Sequence, residues 1–284
     1  QRQMCIRDRK LDLQSFLAPL FQEKKSVGLV PTMGALHNGH LSLMKKALQE
    51  NDQVVVSVFV NPTQFNNAED LEKYPRNLEK DAATIASLSD KIVLFAPEIS
   101  EMYEGVPTSG SYDFQGLDKV MEGAFRPGHF EGVATIVEKL FRLVTPTRAY
   151  FGEKDYQQIL IIKRMVAQRD LPVMLVPCPI IREESGLAMS SRNERLSSEG
   201  RQQAAFIYKV LQEAKARFAS SSIAEVKAFV EQQFAQEPAF ELEYFLIVDE
   251  NTLQEATEKQ ANKAYRAFVA AYIEGVRLID NLSL

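Results

Sequence analysis

Cysteine is almost missing from this chain: Cys5 and Cys178 are the two among 284 residues. So few, so far apart, give no disulfide framework and no cysteine-rich metal site. They suit a reducing compartment, and a cytoplasmic location is expected. An excess of basic charge is missing too. The formal net charge is −5, which argues against a broad nucleic-acid surface. No apolar run approaches the length of a membrane span. Residues 1–10 carry four basic groups and lack the apolar core of a secretory signal. Repeats and low-complexity tracts are absent. Histidine is scarce as well, with three residues in all, so where they fall carries information.

The hydrophobic share of 45% and charged share of 25% are those of a globular protein. The length allows one large or two ordinary domains. Residues 1–10 are polar and unpatterned, and are expected to be disordered or foreign to the natural start. Leu13, Phe16, Leu17 and Leu20 predict a helix over 11–25. A strand over 27–30 follows, then a glycine-punctuated turn, then a helix over about 40–50. Residues 53–60 form an unbroken apolar run, the mark of a strand covered on both faces. A helical pattern over 69–86, interrupted at Tyr74-Pro75, leads to a buried-type strand over 91–96. Val133, Ile136, Val137 and Leu140 share one face of a helix over 132–143. Strands over 147–151 and 171–177 flank another helix. This alternation implies a mostly parallel, doubly wound α/β sheet. After residue 177 the rhythm changes. Helices over 197–219 and 222–236 precede strands over 240–249 and 264–280, which suggests a separate α+β domain. The predicted domains are therefore 1–177 and 178–284.

In an open parallel sheet, ligands bind beyond the carboxyl ends of the strands, and the polar clusters fall there. His37 and His40 follow the first strand, at a helix start that favours anions. Gly34 and Gly39 allow close backbone approach. Asn61 and Gln64 follow the second strand. Gly152, Glu153, Lys154 and Asp155, with Gln158, follow a later one. Lys154 supplies a point charge for phosphate. Asp81 and Asp155 are carboxylates of the type that Mg²⁺ takes with phosphate oxygens. Met189-Ser190-Ser191-Arg192 offers two hydroxyls and a guanidinium. Together they read as a nucleoside triphosphate site. Each element also has a plain structural reading: a histidine cap, a solvated turn, a capping loop, a surface acid, and core positions at Val133, Ile136 and Val137. Two rival functions use the same residues. His37, His40 and His129 would form a hydrolytic zinc site, or the chain would sense a nucleotide without catalysis.

Six ordered segments carry a resemblance. They are Pro31 to His40, Phe59 to Phe65, Tyr74-Pro75-Arg76, Arg126 to Phe130, Tyr150 to Gln158 and Gly186 to Asn193. With Arg277 to Asn281, the match runs from about residue 11 to the end, and the chain resembles the pantothenate synthetase (pantoate–β-alanine ligase) family. The His-x-Gly-His turn is similar to that of the wider nucleotidylyltransferase superfamily. The resemblance implies a Rossmann-like fold with a smaller C-terminal α+β domain, a homodimer, and ATP and Mg²⁺ as co-substrate and cofactor. It implies condensation of pantoate with β-alanine through pantoyl adenylate, in the route to coenzyme A. It places Met33, Gly34, Ala35, Leu36, His37, Asn38, Gly39 and His40 on ATP, with His40 as the usual proton donor. Gly152, Glu153, Lys154 and Asp155 join them, and Ile181, Met189, Ser190, Ser191 and Arg192 close over the nucleotide. Gln64 and Gln158 would hold pantoate, Asn61 lies in the same segment, and Val133, Ile136 and Val137 would pack on its gem-dimethyl group. Asp81 would be the Mg²⁺-associated acid. Such a family opens with a short strand, which residues 1–10 do not resemble, so that strand is expected to be missing or replaced.

Overall fold

A computed structural model of the chain describes residues 6–284. What was expected of residues 1–5 lies outside them. The chain divides into two compact units, Gln1–Pro179 and Ile180–Leu284.

The first unit runs β1 (Ile6–Arg7), α1 (Lys10–Gln22), β2 (Val27–Thr32), α2 (Asn38–Glu50) and β3 (Gln53–Val58). It continues with α3 (Ala68–Glu72), α4 (Leu78–Leu88), β4 (Ile92–Phe95), α5 (Ile99–Met102), α6 (Met121–Phe125) and α7 (His129–Val144). It ends with β5 (Arg148–Gly152), α8 (Tyr156–Gln168) and β6 (Met174–Cys178). Six parallel strands lie in the order β1-β4-β3-β2-β5-β6. Alternate residues of β3 go to opposite faces. Val54 and Val56 join Val30, Met44, Ile85 and Leu94 in one core cluster, which is why this strand reads as continuously apolar. The opening strand is present after all. Ile6 and Arg7 pair with Leu94 and Phe95 of β4. Two residues are too short a strand to leave an alternating signature, and Arg7 in one of them hides it further.

The second unit contains α9 (Ser198–Gln203), α10 (Phe206–Phe218), α11 (Ile223–Ala235), β7 (Phe240–Asp249), β8 (Tyr265–Ile273) and β9 (Val276–Ser283). Its sheet is antiparallel in the order β7-β8-β9. Val210, Leu211, Val226 and Val230 of the helices pack with Ile247, Ala267, Val269 and Ala271 of the strands. Two expectations change here. The helix expected over 197–219 breaks in two. Ala205 and Ile207 donate to the carbonyls three residues back, Gln202 and Ala204, so the turn tightens without a proline or glycine to announce it. The strand expected over 264–280 is a hairpin. Glu274 (φ +50°) and Gly275 (φ +71°) form a two-residue turn with both residues left-handed, and Ile273 faces Val276 across it. That geometry suits the twist of the flanking strands.

Candidate active site

The chain winds from β2 through β3 to β4 in one direction and from β5 to β6 in the other. β2 lies between β3 and β5. The loops after β2 and β5 therefore leave adjacent strands at the point where the winding reverses, where open α/β sheets leave a crevice. The sequence motifs 33–40 and 152–155 occupy those two loops.

The turn after β2 is held by hydrogen bonds of its own and by a carboxylate from α4. Gly34 and Ala35 are both left-handed, at φ +84° and +50°. Their conformation turns successive N–H groups inward. Thr32 Oγ1 accepts from Gly34 N–H at 3.2 Å. Asp81, from the first turn of α4, accepts from Ala35 N–H through Oδ2 at 2.9 Å and from Leu36 N–H through Oδ1 at 2.8 Å. His37 caps α2: its Nδ1 accepts from Gly39 N–H at 3.1 Å. His40 Nδ1 accepts from His37 N–H at 3.3 Å. An imidazole nitrogen that accepts a bond carries no proton, so in both neutral rings the proton sits on Nε2. The turn thus carries two imidazoles with the proton on Nε2, beside helix amides that its own side chains already satisfy. The rings lie 4.0 Å apart between centroids. Burial, then the neighbouring His37 ring and the Lys154 ammonium, hold His40 neutral, with its pKa down to about 3. The field of Lys154 thus reaches the imidazole across the two adjacent loops. Lys154 Nζ is 3.7 Å from Asp155 Oδ1.

The turn after β3 is a shelf. Asn61, Thr63 and Gln64 form one tight turn, and α7 packs directly on it. A Cβ on Gly132 would come within 2.4 Å of the Thr63 carbonyl oxygen, so only glycine lets the helix approach. His129 is buried and its Nδ1 bonds the Gln64 carbonyl at 2.8 Å. Gln64 Nε2 donates to Met33 Sδ at 2.9 Å, which ties the shelf to the turn after β2. Asn61 is 1% exposed, and its amide is taken up by Gln64, Gly132, Thr63 and Tyr103. It therefore supports the shelf from behind and does not present an atom to a ligand. Val133, Ile136 and Val137 are buried on α7. Of the two adjacent glutamines on α8, Gln157 is locked to Leu117 and Val120 before α6 and to Glu122 in its first turn. Gln158 is half-buried beside it.

This geometry bears on two metal expectations. Asp81 is 2% exposed, and each of its oxygens accepts one backbone N–H, so what the structure shows it doing is clamping the turn. The three-histidine zinc reading fails: His129 is bound to the shelf, and among the described residues no group of three His, Cys, Asp or Glu is placed to hold a metal ion.

In the second unit, Ile181 and Met189 are paired, with Met189 N–H donating to the Ile181 carbonyl at 3.0 Å. Ser190 caps the following turn by accepting from Arg192 N–H, and Ser191 is buried. The segment is braced. Arg182 grips Asp280 with both terminal nitrogens at 2.6 and 2.9 Å, and Asn193 ties Glu183 to Ala188. Sequence reasoning gave no role to Thr32, Tyr103, Gly132 or Gln157. Thr32 and Gln157 lie inside segments that carry the resemblance, Gly132 leaves a signal as a lone glycine within a helical pattern, and Tyr103 leaves none.

The family model described as pantoate–β-alanine ligase matches residues 6–283. The chain belongs to the pantoate–β-alanine ligase family. Pantothenate synthetase of Flavobacterium psychrophilum is 53% identical over 281 residues, covering 99% of this chain and 100% of that protein. That of Christiangramia forsetii is 52% identical, covering 98% of each. Among solved structures, pantothenate synthetase from Thermus thermophilus matches with TM-score 0.89 at 43% identity, over 98% of this chain and 99% of that one. Pantoate–β-alanine ligase from Francisella tularensis, complexed with β,γ-ATP and β-alanine, matches with TM-score 0.82 at 39% identity, over 99% and 98%. The chain is thus a ligase, and its six-stranded parallel sheet with a separate antiparallel sheet is the pantoate–β-alanine ligase fold. Among the described residues no helix is long and apolar enough to cross a membrane.

Proposed function

We propose that this ligase condenses pantoate with β-alanine at the expense of ATP, through a pantoyl-adenylate intermediate. A carboxylate oxygen of pantoate attacks the α-phosphorus. A phosphorus–oxygen bond forms there, the bond to the bridging oxygen breaks, and pyrophosphate leaves. The β-alanine amine then attacks the acyl carbon, its carbon–oxygen bond to AMP breaks, and the amine gives up a proton. The first step calls for charge neutralisation and alignment more than for covalent help. The Nε2–H groups of His37 and His40 and the Lys154 ammonium supply that charge stabilisation. His40 acts in this reading as a hydrogen-bond donor to phosphate, because the free enzyme holds it neutral. Gln64 and Gln158 hold the oxygens of pantoate, and Val133, Ile136 and Val137 lie on the helix behind its branched carbon.

Mg²⁺ arrives with the nucleotide, carried by phosphate oxygens and water. Ile181, Met189, Ser190, Ser191 and Arg192 are, by the family resemblance, further nucleotide-binding residues. The product is pantothenate for coenzyme A synthesis, and the working form is a cytoplasmic homodimer; these follow from the family resemblance. The observation that carries the reading is the adjacency of the histidine turn and the Lys154 loop at the winding switch, with the Gln64 shelf one strand away. The test is pantoate-dependent exchange of labelled pyrophosphate into ATP with β-alanine omitted, followed by AMP release when it is added. Exchange that ignores pantoate, or AMP release that needs no amine, overturns it.

A further inference from the structure

An amide side chain has a donor end and an acceptor end of nearly the same shape. Which end of Gln64 meets the substrate decides whether the site takes an oxygen or an N–H. A substrate-binding amide therefore needs a partner that fixes its polarity. Here a chain of bonds does so, starting from a group with only one possible role. The Gly132 carbonyl only accepts, and it lies 3.1 Å from Asn61 Nδ2. Asn61 Oδ1 is then the acceptor end. It takes the Tyr103 hydroxyl at 2.6 Å and the Thr63 hydroxyl at 3.1 Å. The same Nδ2 faces Gln64 Oε1 at 3.3 Å, which makes Oε1 the internal end and turns Gln64 Nε2 away from the shelf, toward Met33.

We propose that Tyr103 is a positioning residue for the acid substrate. Its hydroxyl pins Asn61, and through Asn61 it keeps the N–H end of Gln64 facing a carboxylate or hydroxyl oxygen. Tyr103 follows α5 beyond the carboxyl end of β4, so a third strand end joins the site. It is 4% exposed, its ring lies 6.4 Å from that of Phe59, and the Lys139 ammonium stands 5.1 Å from its centroid. Such a ring does not rotate away from Asn61 without opening the core. Burial raises its hydroxyl pKa, which keeps the donor protonated through the neutral range. The inference rests on the reading that Gln64 holds pantoate.

The test is steady-state kinetics of Tyr103→Phe, Gln64→Ala and the double variant, with pantoate and ATP varied separately. Tyr103→Phe is expected to raise the KM for pantoate about three- to tenfold, the span of one neutral hydrogen bond, and to leave the KM for ATP unchanged. On top of Gln64→Ala it is expected to add almost nothing, because it acts through that residue. Thr63→Val, which removes the second hydroxyl on Asn61 Oδ1, is expected to move the pantoate KM the same way by less, and stands in if Tyr103→Phe does not fold. If Gln64→Ala raises the pantoate KM and Tyr103→Phe does not, or if the two effects add in full, the positioning role is wrong. If Gln64→Ala leaves the pantoate KM untouched, the assignment of Gln64 to pantoate falls and takes this inference with it.

Discussion

His37 and His40 both cap their own turn, and in the reading proposed above that role prepares them to meet a phosphate. Each ring gives its Nδ1 to a backbone N–H of its own turn, and the tautomer this enforces leaves Nε2–H as the group for a phosphate oxygen. His40→Ala removes one such donor. Turnover is expected to drop by about two to four decades, the range for a positioned catalytic group, and His40→Gln, which can carry an N–H to a similar place, is expected to recover part of it. Wild-type turnover in His40→Ala ends the assignment. The neutral state also has a stability consequence. The folded protein holds the His40 pKa at about 3, against an ordinary 6.5, so as pH falls the unfolded chain takes up the proton first. The stability that depends on a neutral ring is complete above about pH 6.5 and is lost as pH falls toward the folded value. Against His40→Gln, which does not titrate, the wild type is expected to lose up to about 2 kcal/mol between neutral pH and about pH 5. Thermal melts that stay parallel over that range would contradict it.

The spacing of His37 and His40 and the apolar rhythm of 53–60 were readable because each follows from a period or a cap within one element. What joins one element to another was not. Asp81 reads in sequence as a surface acid of a helix, or as a carboxylate for Mg²⁺. Only the packing of α4 shows that it is the clamp on Ala35 and Leu36. Two charge-assisted bonds from one carboxylate hold a left-handed pair that would otherwise relax. In Asp81→Asn one of the two N–H groups meets an amide NH₂ instead of an oxygen. The KM for ATP is expected to rise about ten- to a hundredfold, while the Mg²⁺ concentration needed for half-maximal rate stays the same. A raised Mg²⁺ requirement with ordinary ATP binding would return Asp81 to the metal. The same blindness explains the two elements read wrongly. The break between α9 and α10 is made by two shortened backbone bonds, and the β8–β9 hairpin turns on Glu274, a residue seldom left-handed. Neither change alters the apolar period that the reading depended on.

Strand order is the most consequential thing that composition and periodicity do not show. The alternation of strands and helices predicts a parallel sheet, yet nothing in it says that β2 neighbours β5. That adjacency places the His37–His40 turn beside Lys154, some 110 residues away in sequence by the motif positions. The family resemblance supplied the meeting of the motifs, and the pairing of Gly28 with Arg148 and Leu29 with Ala149 supplies its physical cause. The second unit raises the converse question. Its segment from Ile181 to Asn193, proposed to meet nucleotide, is a braced hairpin: Met189 N–H bonds Ile181, Glu183 N–H bonds Leu187, and Arg182 is fixed to Asp280. A segment held this way moves as a rigid piece. Ligand binding should then protect its amides as a block instead of ordering them one by one. Hydrogen exchange with ATP and pantoate present is expected to slow residues 34–40 and 152–155 of the first unit and residues 186–193 of the second, while β7 and β8 exchange as before. Protection of the first-unit loops with no change at 186–193 would remove Met189, Ser190, Ser191 and Arg192 from the nucleotide site and leave the switch point to bind ATP alone.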